Sequence, residues 1–406
     1  MINKNCKNCN SKKLQRIFSL GNLSFSGRFA KSFRENIPSE NLNLIICNKC
    51  KLVQLDRSFN QRYLYGESYG YRTGINQTMT NHVKKTVTLS MKIAKLKKND
   101  YVLDIASNDA TLLNFYPKKI ITMGIDPLIN KYKKYYKKIN YKVSNFFNIK
   151  QIKDVVKKKK FKIITALSVY YDLRNPNKFL REVSNLLDHD GIFILEHADL
   201  YSIIKNNIYD TICHEHLSYF SSTVIIDMMN RNGLKVFKHE FNNINGGSSR
   251  YYISHKNSKI KINHSVKKVL NLEKKFDLNN IKTLKKFYKG ISFEKYSLKK
   301  LITKIKKKKL TIHGYGASTK GNILLQFCKI GNKEIDFIAD RNILKFNLFT
   351  PGTKIKIISE KESRLIKPNY YLVLPWHFKK EILKRETKIR KKGVKFIFPL
   401  PKIEII

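Results

Sequence analysis

The sequence predicts a mixed α/β protein built from about three compact units. Two series of strand-like apolar runs lead to this. The first lies at 101–105, 120–125, 162–167, 191–196, 234–239 and 250–254, with helical or loop segments between. Such alternation is the pattern of a parallel sheet. The second opens at Leu310-Thr-Ile-His-Gly-Tyr-Gly316 and continues through 335–340 and 370–374. A length of 406 residues exceeds one ordinary domain, and 42% hydrophobic with 12% aromatic residues supplies real cores.

Taken in order, the first segment, 1–85, carries paired cysteines and a Tyr-rich stretch, Tyr63-Leu-Tyr-Gly-Glu-Ser-Tyr-Gly-Tyr71. Met79, Val83, Val87, Met91 and Ala94 recur at helical spacing between 78 and 97. A polar break at 97–100 precedes the first strand of a middle unit, 86–255. Its last two strands follow closely, as in an antiparallel hairpin at a sheet edge. Residues 256–300 are Lys-rich and read as a mostly helical connector into a C-terminal unit, 256–406. Both α/β units are expected to open strand–loop–helix.

The formal charge of +51 invites a nucleic-acid reading. Against it, lysines are spread over the whole chain, and Arg, which suits phosphate and base recognition, is scarce beside Lys. The reading is therefore no specific nucleic acid, with the excess charge still attracting small anionic ligands. No apolar run approaches the roughly 18–20 residues of a membrane span. No signal-peptide pattern is seen at the N-terminus, so a cytoplasmic protein is expected.

Cys6-x-x-Cys9 and Cys47-x-x-Cys50 form two knuckles. Each can place two thiolates on one tetrahedral ion, and together they close its shell. A closed four-sulfur site holds structural zinc and does no chemistry. Cys213 and Cys328 read as packing residues, as does Trp376.

Asp104-Ile-Ala-Ser-Asn-Asp-Ala110 ends the first strand of the middle unit, where ligands meet the carboxyl ends of parallel strands. Asp104 or Asp109 can hold an amino or ribose group. Asp126, in Gly124-Ile-Asp-Pro127, can take both hydroxyls of a ribose. Gly-x-Gly-x-x-Gly is absent at this turn, which lowers a hydride-transfer reading. His214, Glu215 and His216 set two imidazoles and a carboxylate side by side, suited to removing a proton near neutral pH. Asn245-Gly-Gly-Ser-Ser-Arg250 offers backbone donors and a guanidinium to phosphate or sugar oxygens. Gly314-Tyr-Gly-Ala-Ser-Thr-Lys-Gly-Asn322 is a glycine-rich turn with Lys320 placed to neutralise charge.

In this order the motifs resemble the three-domain, zinc-containing, S-adenosylmethionine-dependent C-methyltransferases of nucleotide-linked keto-deoxysugars. The resemblance also rests on Tyr69-x-Tyr71 with His82, and on Pro351-Gly-Thr353. It implies a class I Rossmann-like methyltransferase domain, flanked by an N-terminal zinc-binding domain and a C-terminal Rossmann-like domain. S-adenosylmethionine would lie against Tyr71, His82, Asp104, Ala106, Asn108, Asp109, Asp126, Pro127 and Ser168. A nucleotide sugar would lie against Asp172, Gly246, Gly247, Ser248, Arg250, Tyr315, Lys320 and Asn322. His216 is implied as the general base. Glu215 would orient it, and His214 or Tyr219 would hold an enolate oxygen.

The sequence departs from the family at three places. Ala106 and Ala110 stand where glycine is common. Cys213 stands where tyrosine is frequent. Ser168-Val-Tyr-Tyr-Asp172 carries an acid where relatives have histidine. Three other functions compete: sugar O- or N-methylation on the same scaffold, a zinc-containing nucleic-acid binder, and a catalytically lapsed relative.

Overall fold

The computed structural model describes residues 2–60, 64–65 and 70–406. Tyr69 of the Tyr69-x-Tyr71 motif lies outside the described residues.

The N-terminal unit is an antiparallel meander of β1 (Leu14–Ser24), β2 (Ser39–Cys47) and β3 (Val53–Leu55). The cysteine knuckles sit at one end of it, Cys6 and Cys9 before β1, Cys47 at the end of β2 and Cys50 before β3. Asn76 then caps the helix Gln77–Ala94 by accepting from the Met79 amide at 3.1 Å. Its apolar stripe, Met79, Val83, Val87 and Ala94, is buried, and Lys95 ends it in the left-handed conformation.

The middle unit contains β4 (Tyr101–Ile105), β5 (Ile121–Ile125), β6 (Tyr141–Val143), β7 (Phe161–Leu167) and β8 (Leu187–Ala198). The chain then makes β9 (Ser218–Tyr219), which leaves this sheet and pairs with β3 of the N-terminal unit. It returns as β10 (Leu234–Asn242) and β11 (Ser248–His255), antiparallel to each other as expected. The seven-stranded order is β10-β11-β8-β7-β4-β5-β6. β11 runs against β8, whereas the pairs from β8 to β6 are parallel. The expected opening helix is missing here: a 3-10 turn, Leu113–Phe115, lies between β4 and β5. Ala106, Asn108 and Ala110 have φ of 59°, 50° and 59°, a left-handed backbone that a right-handed helix cannot contain.

Two helices, His264–Lys275 and Ile281–Lys307, form the connector. The C-terminal sheet comprises β12 (Ile312–Tyr315), β13 (Ile338–Asp340), β14 (Ile357–Ser359), β15 (Tyr370–Val373), β16 (Lys395–Phe398) and β17 (Glu404–Ile405). Its order, β14-β13-β12-β15-β16-β17, is that of the doubly wound dinucleotide fold, with β17 antiparallel to β16. Here the predicted strand–loop–helix opening is present, as β12 and the helix Thr319–Phe327.

One apolar cluster runs through all three units, from Cys6 to Leu400, so they pack as one body. Side-chain amides stitch the outer units together. Asn322 donates to the Ser26 carbonyl at 2.7 Å, and Gln326 both accepts from the Ser24 amide at 2.7 Å and donates to its carbonyl at 3.1 Å. Among the described residues, no helix is long and apolar enough to cross a membrane.

Candidate active site

Each Rossmann-like sheet has a switch point at its carboxyl edge, between β4 and β7 in the middle unit and between β12 and β15 in the C-terminal unit. Ligands bind at such points because the strands diverge there and leave a crevice. Both crevices open onto one cavity of about 670 Å³. Asp104, Ala106 and Ser168 line it from one side, and Tyr315, Gly316 and Pro375 from the other.

On the middle-unit side, Asp126 ends β5 with one carboxylate oxygen accepting from the Leu128 amide at 2.7 Å and the other from the Asn108 amide at 3.0 Å. These bonds fix the carboxylate and leave further acceptor capacity on both oxygens. Burial raises its pKa to about 6. Asp104 is buried, accepts from Thr165 Oγ1 at 2.5 Å and is pushed by desolvation to about 7. The segment 70–76 crosses this loop. The Thr73 amide donates to Asn108 Oδ1 at 2.9 Å, the Gly74 amide to Asp109 Oδ2 at 3.0 Å, and Arg72 pairs with Asp109 at 3.2 Å. Thr78 donates to Glu381 at 2.7 Å, tying the same stretch to the C-terminal unit. Tyr71, His82, Asn108 and Pro127 line the cavity, while Asp109 acts one layer back, on the crossing segment.

His82 lies 2.6 Å from Glu196, whose other oxygen accepts from Arg250 Nε at 2.6 Å and Asn242 at 3.1 Å. Burial alone would raise the Glu196 pKa, but His82 and Arg250 outweigh it and lower it. Arg250 is thereby spent on a buried ion pair and does not line the cavity.

His216 faces the cavity and packs on Tyr171, ring centroids 4.1 Å apart. Its Nδ1 is 2.7 Å from the Thr211 carbonyl, so Nδ1 carries the proton and Nε2 keeps its lone pair. Desolvation, with the charge of Lys320 adding to it, lowers its pKa to about 3. The imidazole is therefore neutral at physiological pH. Glu215 lies buried beside it, accepting from Ser26 Oγ at 3.2 Å, with its pKa raised by burial. Cys213 and Asp172 also line the cavity, and burial holds the Asp172 carboxyl well above the usual range.

Several sequence-predicted residues stand elsewhere. His214 sits between the rings of Phe25 and Phe59, with Nε2 3.3 Å from the Glu40 carbonyl, and does not line the cavity. Neither does Tyr219, drawn into the N-terminal sheet by β9. Gly246 is at φ +90°, and a Cβ there would come within 2.5 Å of the Trp376 ring, so this turn serves packing. Gly247 is pressed against Ser202, and Ser248 Oγ donates to the Ile244 carbonyl. Asn322 is the tether to Ser26. Tyr315 and Lys320 remain at the cavity.

Motif reading missed Thr211, Tyr171, Arg72 and Thr73. Thr211 and Thr73 act through backbone groups, which leave no residue-type signal.

The four cysteine sulfurs lie within 4.8 Å of one another, with Cys6–Cys50 and Cys9–Cys47 both at 3.5 Å. Tetrahedral zinc with bonds of about 2.3 Å needs sulfur–sulfur edges of about 3.8 Å, so the cluster fits zinc with only slight expansion. The crevice at β4 and β5 fits an adenosyl group in the same sense, with a fixed acid at the end of β5 and an open volume beside it.

Three family models match in chain order: a zinc binding domain over 6–65, a methyltransferase domain over 78–239, and a C-methyltransferase C-terminal domain over 243–401. The chain is 26% identical over 370 residues to C-methyltransferase NovU of Streptomyces niveus, covering 90% of this chain and 87% of that protein. Among solved structures it aligns with an S-adenosylmethionine-dependent methyltransferase from Clostridium acetobutylicum, at TM-score 0.35 and 13% identity, over 43% of this chain and 92% of that one. It also aligns with magnesium protoporphyrin IX methyltransferase from Synechocystis with bound SAH, at TM-score 0.34 and 12% identity, over 45% and 88%. These matches identify the protein as an S-adenosylmethionine-dependent C-methyltransferase that carries a zinc-binding domain.

Proposed function

We propose that the protein methylates a carbon next to the ketone of a nucleotide-linked deoxysugar, with His216 as the base that makes that carbon nucleophilic. The carrying observation is the Thr211–His216 hydrogen bond, which commits Nδ1 and leaves Nε2 unprotonated on a ring that lines a cavity shared by two nucleotide-type crevices. A proton beside a ketone is acidic enough for a positioned imidazole. Nε2 takes it, the C–H electron pair becomes the enolate double bond, and the carbonyl pair moves onto oxygen. Bound S-adenosylmethionine supplies the electrophilic methyl that this carbon receives.

In this reading the crevice at Asp104, Asn108 and Asp126 takes the cofactor, and the crevice at Tyr315 and Gly316 takes the sugar nucleotide. Nucleotide sugars are made in the cytoplasm, and we place the enzyme there.

The test is carbon-13 NMR after incubation with methyl-labelled S-adenosylmethionine and a panel of nucleotide-linked 4-keto-6-deoxysugars. An aliphatic methyl signal on carbon is expected. A methoxy signal would replace enolate formation with oxygen alkylation. Absence of any labelled product across the panel, with cofactor binding intact, would remove these sugars as substrates.

A further inference from the structure

The proton transfer just proposed leaves a negative oxygen that needs a donor. His214 and Tyr219, the donors suggested by sequence, do not line the cavity. Lys320 does, in the first turn of the helix Thr319–Phe327. Its Nζ donates to the Asn245 carbonyl at 2.7 Å, across the boundary between the C-terminal and middle units. An ammonium has three donors, so two remain after that bond.

Asn245 Nδ2 reaches Ser168 Oγ at 3.4 Å, joining this loop to the end of β7. Asp210 is the acid whose charge Lys320 feels, and its Oδ2 accepts from Trp376 Nε1 at 2.7 Å. Trp376 in turn packs against Gly246. The titratable groups that share Lys320's field are Asp210, Cys213, His216 and His377.

Of the other cations at the cavity, Arg341 is exposed and Lys178 pairs with Glu182, and the rest bind elsewhere. Arg72 binds Asp109 and Tyr135, Arg174 the Phe59 carbonyl, Lys345 the Ala317 carbonyl, and Arg385 Glu360. Lys320 is the cation whose charge is felt at His216.

We propose that Lys320 is a catalytic residue whose ammonium holds the substrate oxygen as it becomes negative, while His216 takes the proton. This rests on the ketone chemistry proposed above. The charges balance as the step proceeds. In the resting site burial, with the charge of Lys320 adding to it, keeps His216 neutral and so able to accept a proton. After transfer, imidazolium and ammonium would repel each other, and the oxyanion formed between them relieves that repulsion. Proton transfer is thereby coupled to the presence of a ketone oxygen at Lys320.

The experiment follows deuterium uptake from D2O into dTDP-4-keto-6-deoxyglucose without S-adenosylmethionine, beside dTDP binding by calorimetry. S-adenosylhomocysteine binding checks that each variant folds. For Lys320→Met, exchange is expected to fall about 10²–10³-fold, the size seen on removing one oxyanion donor. Affinity for dTDP should stay within about threefold, the acid limb of the exchange profile should move to higher pH, and Lys320→Arg should restore part of the rate. Unchanged exchange with dTDP affinity reduced tenfold or more would make Lys320 a phosphate ligand and overturn the proposal. If the wild type takes up no deuterium, the ketone reading fails first and this assignment with it.

Discussion

The Nδ1–H of His216 donates to the carbonyl of Thr211 at 2.7 Å, from one turn of the chain to the next. The bond fixes the tautomer, and burial fixes the charge state. With a pKa near 3, His216 stays unprotonated well below the pH at which a free imidazole, near 6.5, gains its proton. The sign follows: the base is competent above its own pKa, so lowering the pKa extends the active range toward acid. The pH profile of kcat/KM should therefore show no limb near 6.5 from His216. A limb there that survives Asp104→Asn and Asp126→Asn, acids at about 7 and about 6, would mean that the imidazole is hydrated in the working enzyme.

His216→Asn keeps a polar side chain of similar reach but has no basic nitrogen. Turnover should fall about 10²–10⁴-fold, the usual weight of a general base. S-adenosylmethionine affinity should change little, because His216 stands beyond the Asp104–Asp126 crevice. Calorimetry with the cofactor, set against the labelled-methyl rate, separates the two effects.

A closed four-sulfur site contributes folding energy directly. Cys47 is fully buried at the end of β2, so Cys47→Ser removes one ligand from a site with no spare position. Zinc by mass spectrometry should drop from about one per chain to well below it. Proteolysis should then cut first within the N-terminal meander. Full zinc occupancy in the variant would show that this cluster is not the metal site.

Ala106 and Ala110 share a left-handed backbone but not an environment. That conformation costs an L-residue about 1–2 kcal/mol, against about 0.5–1 kcal/mol of extra chain entropy for glycine. Ala106→Gly should stabilise the protein slightly. Ala110 is fully buried among Val83, Val87 and Leu113 in a separate apolar cluster of the middle unit, and loss of its methyl costs about 0.8 kcal/mol more, so Ala110→Gly should be neutral or slightly destabilising. Urea midpoints of the two variants, compared at equal m-value, test the difference.

Gly27 brings the N-terminal unit against the base-bearing loop: a Cβ there would lie 2.6 Å from Glu215 Oε1. Gly27→Ala should displace the Glu215 carboxylate and disturb the turn that presents His216. Turnover should fall about tenfold, a modest misalignment of a general base, with zinc content unchanged. Wild-type rates in this variant would detach Glu215 from the positioning of His216.

The middle and C-terminal strands were legible because parallel strands buried on both faces read as short apolar runs. The meander of β1 to β3 was not, since its strands alternate less clearly and carry irregular register, with shifts between Arg16 and Phe18 and between Ser19 and Asn22. The missing helix after β4 reflects Ala106, Asn108 and Ala110, whose left-handed backbone is set by the loop they build and not by their own preferences.

By itself the sequence indicated the four-cysteine cluster that the fold brings together, because C-x-x-C geometry is local. It also determined the strand-end positions of Asp104, Asp126 and Tyr315, because a strand's carboxyl end is set by its own apolar run. Only the tertiary structure decided that His214 packs between Phe25 and Phe59 while Glu215 and His216 line the cavity, and that β9 draws Tyr219 into another sheet. It alone brought Lys320 to Asn245 across a span of 75 residues, and Asn322 to Ser26 across 296. Contacts between remote segments depend on how whole sheets pack, and no spacing along the chain encodes them.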